Sequence, residues 1–188
     1  MTIQLKRHRF SVEDYHRLSE LGFLDPDGRD ELLDGEIVEM PAVREPHAYA
    51  VGQCALLFIE AVGRVCWVGV QSPLRLGRYS EPQPDLVVAH GPRERYATNH
   101  PEPADVLLVI EVSDASYRKD LVVKLPLYAR AGIPEAWIVN LAARRIEVYR
   151  APRRGGYGEV THAGPGESVS PAAFPNLRIP VDEVLPPA

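Results

Sequence analysis

Cysteine is scarce, and a hydrophobic run long enough to cross a membrane is missing. Only Cys54 and Cys66 occur, in segments that read as helix and strand, so there is neither a disulfide framework nor a zinc-ligand set, and both thiols are expected to be reduced and structural. No apolar stretch approaches the roughly 18 residues of a spanning helix. The basic residues Lys6, Arg7 and Arg9 are followed by no apolar segment of the kind a leader carries. The chain therefore reads as cytoplasmic and unprocessed. Positive charge is also in short supply: 21 Lys plus Arg stand against 26 Asp plus Glu, a formal net charge of -5. That excludes coating of nucleic acid by bulk electrostatics, so any such contact must be local.

What is present is ordinary soluble usage, 45% hydrophobic and 25% charged over 188 residues, which excludes a disordered or collagenous chain. The length suits one domain, 1–188, burying roughly 70% of its unfolded surface. Within it the pattern suggests an N-terminal helix and hairpin (10–40), a core (46–150) and a C-terminal hairpin with a docked tail (151–188). Charge is uneven along the chain. Residues 11–45 hold three bases against eleven acids, and residues 117–154 hold nine bases against three acids. Solvated surface is the plain interpretation of each stretch.

Ser11 can cap a helix through the amide of Asp14, with Phe10 stapled onto Tyr15 and Gly22 ending it. Asp34-Gly35 between two short alternating runs is the strongest hairpin signal in the chain. A second helix is expected over 47–61, with Ala50, Cys54, Leu57, Phe58 and Ala61 as its apolar stripe, closed by Gly63. Strand-like runs follow at 65–70, 72–76, 85–88 and 107–112. A helix from Ser116 should end near Ala131 with Gly132 as its left-handed cap and a kink at Pro126. Strands at 136–140 and 145–149 complete the pattern. The fold class is thus α/β.

Two carboxylates stand on apolar strands. Pro84-Asp85-Leu-Val-Val puts one at a strand mouth, and Leu107-Leu-Val-Ile-Glu111-Val-Ser113 puts another inside a strand, where alternation sends Leu107, Val109, Glu111 and Ser113 to one face. Such charges are costly without a partner, and two brought together repel unless a divalent cation sits between them. Mg²⁺ suits a site of one or two carboxylates plus waters and phosphate oxygens. Asp85 after a proline is equally the type of residue that caps a turn. Lys124 lies four residues after Asp120, so both share a helix face. They form either a solvated ion pair or a face that looks back at the carboxylates, where a lysine could stabilise charge developing on phosphorus.

Taken together, Glu31 through Met40, His47, Pro84-Asp85, Ile110-Glu111-Val-Ser113, Asp120-x-x-x-Lys124 and Tyr128-Ala-Arg-Ala-Gly132-Ile-Pro-Glu-Ala-Trp137-Ile-Val-Asn140 closely resemble the Uma-type restriction endonuclease family of the PD-(D/E)XK nuclease superfamily. The resemblance spans nearly the whole chain. It implies a restriction-endonuclease-like core, a mixed β-sheet flanked by helices, and hydrolysis of nucleic-acid phosphodiester bonds with Mg²⁺ or Mn²⁺. By position, Asp85 and Glu111 match the metal-binding acids. Ser113 stands where the superfamily has a lysine, whose charge Lys124 on the next helix would supply. Glu36 and Glu31 are candidates for an additional acid at the metal, and His47 for a contact to substrate or water. Asn140 replaces the acid more usual after Trp-Ile-Val. Nucleic acid, DNA first, is the implied partner, and cleavage of a duplex makes a homodimer the natural assembly. Two other classes compete: a silent nuclease-like module that binds nucleic acid or a protein, and a metal-dependent phosphoesterase acting on a small molecule.

Overall fold

The computed structural model describes residues 7–25 and 29–187. Helix α1 (Val12–Glu20) begins with a capping box: the Ser11 side chain accepts from the Asp14 amide, and the Asp14 carboxylate accepts from the Ser11 amide. Phe10 joins Val12, Tyr15 and Leu32 in a small apolar cluster. Strands β1 (Asp30–Leu33) and β2 (Glu36–Glu39) form the expected hairpin. Asp34 and Gly35 at its tip both have positive φ, 52° and 86°, as the primed turns of two-residue hairpins require.

Helix α2 (Glu45–Val62) starts two residues earlier than the pattern suggests, with a proline in its first turn. It buries Ala50, Val51, Cys54, Phe58 and Val62. Its stripe therefore ends on Val62, and Ala61 is exposed. Both cysteines are free and buried, and burial pushes the Cys54 thiol up to about 12.

The main sheet has six strands in the order β3 (Cys66–Val70), β4 (Leu86–His90), β5 (Val106–Ser113), β6 (Glu135–Asn140), β7 (Arg145–Arg153) and β8 (Gly156–Ala163). Every neighbouring pair is antiparallel except β5 and β6, which are parallel. The parallel pair needs a crossover. It is made by α3 (Tyr117–Lys119), a π-helical turn over Asp120–Lys124, and α4 (Leu125–Arg130). The kink expected at Pro126 is thus realised as a wide turn just before it. Gly132 takes its left-handed cap with φ 82°.

Leu108, Ile110 and Val112 of β5 pack with α2 on one face of the sheet, while Val109 packs with Leu125 and Tyr128 on the other. Leu107 departs from the expected alternation. The register slips where Val88 pairs with Leu108 but Ala89 pairs with Val106, so Leu107 is a bulge residue that packs with the α2 cluster.

The run at 72–76 is not a strand. Pro73 has no N–H, and Leu74 and Leu76 donate instead to Pro82 and Ser80 across their own loop. Beyond β8, β9 (Ser168–Val169) pairs with β10 (Ile179–Pro180), and α5 (Val181–Val184) buries Val181 and Val184 in the α2 cluster. No helix among the described residues is long and apolar enough to cross a membrane.

Candidate active site

Leu86 of β4 pairs with Ile110 of β5, which sets Asp85, at the mouth of β4, beside Glu111. The Glu111 side chain points to the face covered by the crossover, where Tyr128 donates to its Oε1 at 2.5 Å and Lys124 Nζ lies 3.2 Å from the same oxygen. Lys124, 3% exposed, also reaches Glu31 Oε2 at 3.0 Å. Asp85 Oδ2 accepts the Val112 N–H at 2.8 Å and faces His47 Nε2 at 3.2 Å, while Oδ1 accepts a long contact from Gln71 at 3.4 Å. A cavity of about 290 Å³ opens over these groups, lined by His47, Asp85, Glu111, Lys119, Asp120 and Lys124 among others.

The expected residues separate into those brought together and those not. Asp85, Glu111, Lys124 and His47 converge. Ser113 is buried beneath, its hydroxyl donating to Asp120 Oδ2 at 2.7 Å. The solvated Asp120–Lys124 pair does not form, because both residues are buried and bond to other groups.

Glu31 reaches the site from β1 but as an anchor for lysines: Lys119 Nζ lies 2.7 Å from one oxygen and Lys124 Nζ 3.0 Å from the other. Glu36 stays away, 58% exposed and paired with Arg7. Pairing of Glu31 with Val38 and of Leu33 with Glu36 puts both acids on one face of the hairpin, but Glu36 stands at its tip, exposed beside Arg7, whereas Glu31 lies further from the turn and is buried against the two lysines.

Glu31 is fully buried. Burial pushes its carboxyl up, but Lys124 and Lys119 outweigh that and hold it below its ordinary range. Burial also works against the Lys124 charge, yet Glu111 and Glu31 keep it protonated. Glu111 differs: burial pushes it up to about 8, Lys124 opposes, and Asp120, Asp85 and Glu31 add to the rise. The hydrogen bond to Asp85 raises His47 against the effect of burial. His47 Nδ1 is buried without a hydrogen-bond partner among the described residues.

Four carboxylates thus crowd around two ammonium groups. Among the described residues no three His, Cys, Asp or Glu side chains are grouped so as to enclose an ion by themselves. Three carboxylates, Asp85, Glu111 and Asp120, border the one cavity, and carboxylate oxygens are the donors that Mg²⁺ or Mn²⁺ take, completing their shells with water. Asp85 and Glu111 could hold such an ion, one from the mouth of β4 and one from within β5.

The uneven charge of the sequence resolves here. Lys119 and Lys124 of the basic stretch meet Glu31, and Arg130 lies 3.8 Å from Asp34, so the acidic hairpin docks on the basic crossover. Arg145 and Arg150 pair with Glu147 and Glu135. More than half of the nine bases in that stretch are therefore engaged within the molecule and do not form a free phosphate-binding patch. Asp120 is a cavity residue to which sequence reasoning gave no role of its own; its spacing from Lys124 put the two on one helix face, either as a solvated ion pair or looking back at the carboxylates, with the charge of Lys124 as the expected contribution.

No curated protein matches this chain. Among solved structures, the crystal structure of "a putative nuclease belonging to DUF820" from Anabaena variabilis ATCC 29413 aligns with a TM-score of 0.72 and 14% identity, over 93% of this chain and 97% of that one. At that identity the likeness establishes the shared fold. A family model spans residues 12–182, the whole of the cavity described above included, and the chain accordingly belongs to the family it describes, "Uma2: Putative restriction endonuclease".

Proposed function

We propose that this protein is a divalent-metal-dependent endonuclease that hydrolyses nucleic-acid phosphodiester bonds, with DNA as substrate. The observation that carries the reading is the meeting of Asp85, Glu111 and Lys124, from three separate elements, on one cavity. Mg²⁺ or Mn²⁺ held by Asp85 and Glu111 would neutralise the phosphate and make water a stronger nucleophile. Lys124, kept charged by Glu31 and Glu111, stabilises the negative charge that grows on the phosphoryl oxygens. Glu31 keeps the ammonium in place, and Tyr128 fixes the rotation of Glu111. Cleavage of both strands of a duplex calls for two such sites, hence a homodimer.

Supercoiled plasmid and single-stranded DNA are incubated with Mn²⁺ or with a chelator, using wild type and Glu111→Gln. Cleavage by wild type in Mn²⁺, abolished by the chelator and by the substitution, supports the reading. Absence of cleavage by wild type on both substrates overturns it.

A further inference from the structure

Asp120 is the third acid on the cavity, and the roles assigned above leave it unused. It is 2% exposed and sits at the start of the π-helical turn. Its Oδ2 accepts two hydroxyls, Ser113 Oγ and Ser116 Oγ, each at 2.7 Å. Those donors come from different elements: Ser113 ends β5, and Ser116 precedes α3. Two hydrogen bonds to one oxygen fix the rotation of the carboxylate and leave Oδ1, which has no partner among the described residues, to the cavity it shares with Asp85 and Glu111. Lys124, which could have paired with Asp120, is held instead by Glu31 and Glu111.

We propose that Asp120 Oδ1 is the acceptor that orients the attacking water, and that Ser113 and Ser116 are its positioning residues. The proposal rests on the nuclease reading of the site. In the step, the water oxygen bonds to phosphorus as the bond from phosphorus to the leaving sugar oxygen breaks with its electron pair. The proton lost by the water passes along its hydrogen bond to Asp120 Oδ1 and then to solvent, and the leaving oxygen takes a proton from solvent. Ser113 thereby has a task at the position where the superfamily carries a lysine: a short hydroxyl there reaches Asp120.

The test is single-turnover cleavage of a fluorescent DNA duplex at saturating Mn²⁺, with duplex affinity, Mn²⁺ binding and melting temperature measured on the same samples. Asp120→Asn keeps an oxygen for the serine hydroxyls. It should cut the rate by about 100-fold or more, the scale of a lost general base, with affinity for duplex and Mn²⁺ within about threefold of wild type. Ser113→Ala should cut the rate by about tenfold, because Ser116 still holds the carboxylate. An Asp120→Asn variant that cleaves at the wild-type rate makes Asp120 a tie between helix and strand and overturns the proposal. One that loses Mn²⁺ binding makes Asp120 a ligand and overturns it as well. If Asp120→Asn melts early, Ser113→Ala decides alone: a tenfold fall supports the proposal and an unchanged rate overturns it. A wild type that cleaves nothing overturns the nuclease reading, and this proposal with it, before any variant is compared.

Discussion

Lys124 Nζ lies 3.0 Å from Glu31 Oε2, a buried lysine from the crossover meeting a fully buried glutamate from an N-terminal hairpin. With Lys119 on its other oxygen, Glu31 joins two elements far apart in sequence. Removing one partner of a buried pair leaves an uncompensated charge in low dielectric. Glu31→Gln is therefore expected to lower unfolding free energy by about 3 to 5 kcal/mol. Glu36→Gln on the neighbouring exposed strand should change it by about 0.5 kcal/mol or less. Urea unfolding of the two variants measures the contrast, and equal effects would remove Glu31 from its anchoring role.

Asp85 does two things in the structure: it accepts the Val112 N–H and it borders the cavity. The two can be separated. Asp85→Asn keeps an acceptor for Val112, so its melting temperature without metal should stay near that of wild type, while the rise that Mn²⁺ produces in wild type by mass action should vanish. Asp85→Ala leaves a buried amide unpaired and should cost about 1 to 3 kcal/mol. Thermal melts with and without Mn²⁺ check both. An Asp85→Asn protein that still responds to Mn²⁺ would make Asp85 only a backbone cap.

Glu147, on β7, is a buried carboxylate away from the cavity. Burial pushes it up, but hydrogen bonds from Tyr149, Arg145 and Asn140 outweigh that and hold it below its ordinary range. A carboxylate lowered in the folded state stabilises the fold fully above its unfolded value, about 4.3, and loses that contribution as pH falls through the lower folded value. Urea midpoints followed from pH 7 down to about pH 3 should therefore decline below pH 4.3 more steeply in wild type than in Glu147→Gln. Parallel curves for the two would contradict the assignment.

Local features of the fold are legible in the sequence because they are set by neighbours in the chain. The Ser11–Asp14 box, the Asp34-Gly35 turn and the Gly132 cap each depend on residues within four positions. Glu111 as a buried acid on an apolar strand is legible for the same reason. Alternation fails at Leu107, where an extra residue is absorbed by a bulge set by the partner strand. It fails again at 72–76, where a proline and a loop that bonds to itself replace a ladder. At the site, Glu31 and Glu36 share one face of the hairpin, and which of them reaches the cavity depends on where the hairpin docks, which periodicity within it cannot specify. The charge-rich stretches read as solvated surface because nothing local reveals that Lys119 and Lys124 face Glu31, 88 residues from Lys119 in sequence. Asp120 is obscured by the π-helical turn, which alters the helix at the point where i, i+4 pairing suggests an Asp120–Lys124 bond.

The most direct test is single-turnover cleavage of a labelled DNA duplex in saturating Mn²⁺ by wild type and Lys124→Gln, with Mn²⁺ affinity measured alongside. Wild type is expected to cleave and to stop on chelation. Lys124→Gln is expected to fall by about 100-fold or more, the scale of a lost electrostatic stabiliser, while its Mn²⁺ affinity stays within about threefold. A wild type that does not cleave, or a Lys124→Gln variant that cleaves at the wild-type rate, would contradict the assignment of Asp85, Glu111 and Lys124 as a nuclease centre.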